Sequence, residues 1–67
     1  MTTEEKVSWL KSLPGEMISP AQLAKVTGGD PYYYNMSARE GNLNLPHEWH
    51  GRNLRIWKQP VIRLISE

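Results

Sequence analysis

Two helix-forming stretches meet at Gly28-Gly29 with nothing else between them, and that junction restricts the fold more than any other feature of the chain. On its N-terminal side runs "SPAQLAKVTG". Ser19 is an N-cap residue, Pro20 stands where its missing N–H costs nothing, and Gln22 completes a capping box. Ile18 and Leu23 are spaced as a hydrophobic staple across that cap. Gly28 suits the C-cap, which predicts a helix over 20–27. On the other side Asp30 caps a second helix, Pro31 takes its first position and Gly41 ends it. A two-residue link forces the helices to cross steeply, as in a helix-turn-helix over 18–41.

The rest of the 67 residues is read around that pair. "TTEEKVSWLKSLPG" predicts a first helix near 3–13. Thr2 and Glu5 form a second capping box, and Val7, Leu10 and Leu13 recur at helical spacing before Pro14-Gly15. "NLNLP" is a connector. "HEWHGRNLRIWK" places aromatic and β-branched residues on both sides of "GRN", which predicts a β-hairpin with strands at 47–50 and 54–57. Pro60 then opens a short helix over 60–66, with Val61, Leu64 and Ile65 on its apolar face. The expected architecture is α+β and mostly α: a single domain over 1–67, with an added N-terminal helix in 1–15, the helix pair in 18–41, the hairpin in 46–58 and the terminal helix.

Size and composition limit what such a chain can do. A domain of this length buries only about 60% of its unfolded surface, so its core is thin. Beginning at Met1, it is expected to be a complete small protein. It has no cysteine, which leaves neither disulfides nor thiolate metal sites and suits the cytoplasm. The polar "MTTEEK" start is unlike a signal peptide, and no apolar run approaches the roughly 20 residues of a membrane span. "HEWH" lacks the two-residue spacing between Glu and His of the zinc-protease helix, and no further ligands stand near His47 and His50. Glu40 and Glu48 have no catalytic company, so no enzyme, metal or cofactor is expected. Trp9, Trp49 and Trp57 are expected in or beside the core, with stacking on a partner as the competing reading for Trp49.

The net charge of +1 conceals an uneven distribution. Residues 1–31 hold three basic and four acidic side chains, whereas residues 32–67 hold five and three. Arg52, Arg55, Lys58 and Arg63 follow Gly51 without an intervening acid. A hairpin carrying Arg52 and Asn53 at its turn, then Arg55 and Lys58, suits phosphate binding or minor-groove insertion. The competing reading is an ordinary solvated, charged hairpin.

Tyr32, Tyr33 and Tyr34 are consecutive, and one helix cannot turn all three the same way. At about 100° per residue, Tyr34 and Ala38 share the core face. Tyr32, Asn35, Met36 and Arg39 fall opposite, and Tyr33 lies on the flank with Ser37 and Glu40. The outward set can read a major groove: Asn pairs with adenine, Arg with guanine, Tyr hydroxyls with phosphates, and apolar side chains touch thymine methyls. The competing readings are tyrosines at the edge of a thin core, or a protein-docking face, since Tyr, Met and Arg are enriched in interfaces.

The order and spacing of these features resemble the excisionase-type, MerR-related winged helix-turn-helix family of phages and mobile elements. The residues that carry the resemblance are Ser19-Pro20, Gly28, Arg39-Glu40-Gly41, Leu45-Pro46 and Gly51-Arg52, and it extends over about 18–65. Gly29 and Ser37 depart from the motif, which has larger apolar residues there. The connector before Leu45 is two residues longer than usual, and the helix at 3–13 is an addition. The resemblance implies duplex-DNA binding, with the second motif helix in the major groove and the hairpin as a wing on backbone or minor groove. It also implies cooperative binding, DNA bending and a recombinase or integrase partner. With about four phosphates neutralised, the slope of log affinity against log salt would be roughly −3.6. Two other outcomes stay open: a protein-interaction module that docks through Tyr32, Tyr33 and Met36, and an oligomerising domain whose N-terminal helix pairs with a copy through Trp9.

Overall fold

The computed structural model describes all residues 1–67 and contains four helices and one three-stranded antiparallel sheet. α1 is Thr3–Ser12, β1 Met17–Ile18, α2 Pro20–Thr27, α3 Pro31–Arg39, β2 His47–His50, β3 Asn53–Trp57 and α4 Lys58–Ser66. No helix is long and apolar enough to cross a membrane.

The local signals of the N-terminal half form as expected. Thr2 Oγ1 accepts from Glu5 N at 3.2 Å, and the Glu5 carboxylate accepts from Thr2 N at 2.9 Å. Ser19 and Gln22 repeat that box on α2, at 3.2 and 2.9 Å. Gly28 closes α2 in the left-handed region, where only glycine is free of a Cβ clash. Asp30 Oδ1 accepts from Tyr32 N at 2.9 Å to open α3. The second helix stops at Arg39, short of Gly41, because its last carbonyls are satisfied by a Schellman turn. Gly41 N donates to Ala38 O at 3.2 Å and Asn42 N to Ser37 O at 2.7 Å.

Three features differ from the sequence reading. β1 was not expected, since two residues are too few to display an alternating pattern. It pairs Met17 with Trp57 and Ile18 with Ile56, which makes β3 the central strand in the order β1-β3-β2. α4 begins at Lys58, ahead of Pro60. The first turn of a helix has no intrahelical use for its N–H groups, so Pro60 is accommodated there. The phase of α4 also differs. Val61 and Ile62 point inward and Ile65 is half-buried, while Leu64 is 53% exposed.

The core gathers Leu10, Ile18, Leu23, Val26, Leu54 and Ile56 with Ala38, Val61 and Ile62. α1 packs on α4, and α2 packs on both α3 and β3. On β3, Leu54 and Ile56 are buried while Arg55 between them faces away.

Tyr34 accounts for the glycine at position 29. Its hydroxyl is hydrogen-bonded to Thr27 Oγ1, and its ring lies over the inter-helix turn. A Cβ on residue 29 would stand 2.6 Å from that hydroxyl oxygen, so any larger residue there must push the Tyr34 ring aside. Gly29→Ala is expected to destabilise the protein by about 1–3 kcal/mol in urea unfolding. Tyr34→Phe alone should cost about 0.5–1.5 kcal/mol through the lost hydrogen bond. Together the two should cost less than their sum, because removing the hydroxyl relieves the clash; strict additivity would show that the two residues do not meet.

The first cap gives a pH expectation. Glu5 is held below its ordinary value, chiefly by the Thr2 backbone N–H and then by the Thr2 side chain. A depressed folded-state carboxylate contributes stability above its unfolded pKa, and that contribution is lost as pH falls through the folded pKa. The stability difference between wild type and Glu5→Gln should therefore shrink on acidification below the ordinary carboxylate range, as followed by thermal unfolding. A difference independent of pH would remove the carboxylate from the cap.

Candidate functional site

α3 and the tip of the β2–β3 hairpin form the candidate site. The wheel placed one tyrosine inward, and that one is Tyr34, half-buried against the core. Tyr32 and Tyr33 are 70% and 64% exposed, so Tyr33 is as free as Tyr32 and does not sit at an edge. Tyr33 meets Tyr34 edge to face, with ring centroids 5.8 Å apart. Asn35 and Met36 are half-buried, and Asn35 Nδ2 donates to Pro31 O at 3.0 Å, which fixes its amide along the helix. Arg39 is exposed at the C-terminal end of α3.

The hairpin divides its cations. Gly51 and Arg52 make the two-residue turn and Asn53 pairs with His50, so Arg52 and Asn53 stand exposed at the tip. Gly51 takes a φ of +65° there. Arg55 lies opposite Glu48 on the outer face of the hairpin, half-buried, and its guanidinium donates to Leu54 O at 3.0 Å. Glu48 approaches His50 Nε2 at 3.5 Å instead, the one ion-pair contact in the protein. Both side chains of that pair are more than half exposed, so the pairing contributes little.

Lys58 does not belong to this surface. The sequence placed it on the hairpin as a phosphate ligand, but it is the first residue of α4 and only 6% exposed. Its ammonium donates to Leu13 O at 2.6 Å and its backbone N–H to Glu16 O at 2.8 Å. The residue was misread because the chain passes straight from β3 into α4, and that turns Lys58 indoors.

Trp49 joins the site in its place. It was expected in or beside the core, and it does lie directly across from buried Leu54, on the inner face of the sheet. There the core has run out: Trp49 is 38% exposed, and the Arg39 guanidinium lies over its ring at cation–π distance, Cζ 5.9 Å from the centroid. Alternation along β2 gives the face on which Trp49 sits. Only the approach of α3 gives it a partner. Trp9, by contrast, is half-buried against the core beneath Lys25, whose Nζ lies 5.1 Å from the ring centroid.

The two histidines have separate partners. His47 Nδ1 lies 2.6 Å from Leu45 O, where the imidazole N–H donates, and His50 faces Glu48. No group of three or more His, Asp or Glu side chains is placed to hold an ion. The largest surface depression, about 560 Å³, is an open groove between α1 and the end of α4, away from the candidate site, and Val7 is its one apolar lining residue.

No family model, curated protein or solved structure matches the chain.

The reassignment of Lys58 can be checked directly. Lys58→Ala should lower stability by about 1–3 kcal/mol in urea unfolding, because it leaves the Leu13 carbonyl unpaired. Arg52→Ala, at an exposed turn, should shift stability by no more than about 0.5 kcal/mol. A neutral Lys58→Ala would return Lys58 to the list of available cations.

Proposed function

We propose that this chain is a winged helix-turn-helix protein that binds duplex DNA, acting as an excisionase-like or transcriptional accessory factor of a phage or mobile element. The observation that carries the reading is the meeting of α3 and the hairpin at Arg39 and Trp49. It makes one surface of a helix face and a basic turn, with Arg39 and Arg52 free of carboxylate partners. α3 has nine residues, about two and a half turns, and a helix about 10–12 Å across with its side chains fits a major groove about 12 Å wide.

In this reading α3 reads bases. Asn35, once its amide exchanges the Pro31 carbonyl for a base edge, pairs with adenine, Arg39 with guanine, Met36 touches thymine methyls, and the Tyr32 and Tyr33 hydroxyls bond phosphates. The hairpin is the wing. Arg52 and Asn53 at its tip and Arg55 on its outer face contact backbone or minor groove. An integrase or other recombinase is the protein partner that the excisionase reading implies.

The burial of Lys58 reduces the electrostatic component. With Arg52 and Arg55 neutralising about two phosphates, the slope of log affinity against log salt should be roughly −1.8. It should fall to roughly −0.9 in Arg52→Ala, measured by fluorescence anisotropy of labelled random duplex across a salt series. Absence of binding at low salt would overturn the reading.

A second reading has its own support. Tyr32 and Tyr33 are largely exposed, and Arg39 is the one cation of α3. The same fold would then dock a partner protein through Tyr32, Tyr33 and Met36. Salt-insensitive binding to a candidate recombinase, with chemical-shift changes confined to those residues, would favour it.

A further inference from the structure

We propose that Trp49 is a positioning residue: it holds the Arg39 guanidinium for bidentate recognition of a guanine at the hairpin-proximal end of α3. The inference rests on the DNA-binding reading above and adds a specificity determinant that lies outside the helix-turn-helix.

Arg39 is the last residue of α3, so the next turn of helix does not flank its side chain. No carboxylate pairs with it, and Glu48 points to the opposite face of the hairpin from Trp49. Its one aromatic partner is the indole of Trp49, which reaches it from β2. That indole is not otherwise accounted for. It stands outside the hydrophobic cluster and its partly buried neighbours, and it remains 38% exposed although it shares a face with Leu54.

The chemistry of the contact matters for reading a base. A carboxylate partner would consume the N–H fork that guanine O6 and N7 require. An aromatic face holds the guanidinium by its π-surface and leaves the in-plane N–H donors free. A cation–π contact therefore biases the rotamers of a long side chain without spending its recognition groups. Because Trp49 belongs to the strand that leads to Arg52, seating the hairpin tip on the backbone also sets the position of Arg39.

The test begins with a duplex that the wild-type protein selects from a randomised pool, and a set of that duplex with each G·C replaced in turn by A·T. Arg39→Ala should lose about five- to 150-fold discrimination at one G·C pair. Trp49→Ala should lose about two- to fivefold at the same pair, with an unchanged salt slope. Trp49→Tyr, which keeps an aromatic face, should behave as wild type. In the Arg39→Ala background, Trp49→Ala should add no further loss at that pair. If Trp49→Ala unfolds, Trp49→Met supplies apolar bulk without an aromatic face and should show the same loss. Wild-type discrimination in Trp49→Met, or equal weakening at every base pair, would overturn the positioning role and leave DNA binding intact. Failure of the wild-type protein to select any duplex would overturn the DNA reading, and this inference with it.

Discussion

The pairing of Met17 and Ile18 with the end of β3 is the interaction on which the rest of the structure depends. It joins segments nearly forty residues apart, and two further bonds extend it. Lys58 N donates to Glu16 O, and Lys58 Nζ reaches Leu13 O. Closing so long a loop is entropically unfavourable, and two ladder pairs alone are a small return. The core repays the remainder, because Ile18 and Ile56 are both essentially fully buried where the strands meet. With this seam made, α1 is held against α4, and β3 becomes a central strand with a neighbour on each edge.

Several properties of the surface follow from the same seam. It anchors the backbone of Lys58 as β3 passes into α4, which sets the helical phase. Lys58, Val61, Ile62 and Ile65 then share the inner face at spacings of three, one and three, and Leu64 is left outside. The hairpin thereby loses one of the cations that its sequence advertises. What remains is a surface of moderate charge in which Arg39, Arg52 and the exposed aromatics matter individually. A protein built this way has little general attraction for a polyanion, so whatever it recognises must be recognised by shape and by particular side chains.

The other organising contact is Tyr34 in the inter-helix turn. The ring occupies the space that a side chain at residue 29 would take, and the hydroxyl bridges back to Thr27 at the end of α2. The turn is thus tied by a side chain from α3 rather than by one of its own. It also explains the run of three tyrosines. Tyr34 works in the fold, and its two neighbours are carried outward by helical geometry.

Much of this was legible without coordinates, and the reason is the range of the forces involved. Caps, helix-stopping glycines and the two-residue link depend on residues a few positions apart, so Ser19, Gly28 and Asp30 declare them in the chain itself; the hairpin was legible too, but its turn is Gly51-Arg52 alone and Asn53 already pairs with His50 as the first residue of β3. The outward placement of Tyr32 and Arg39 follows from the same local periodicity. What only the tertiary structure decided involves partners distant in sequence. β1 exists because β3 offers it an edge. Lys58 is indoors because Leu13 and Glu16 supply its acceptors. Trp49 faces Arg39 because α3 happens to end above β2. Local sequence carries the conformation of each element, but a contact between elements is set by the packing of the whole core, which no short stretch contains.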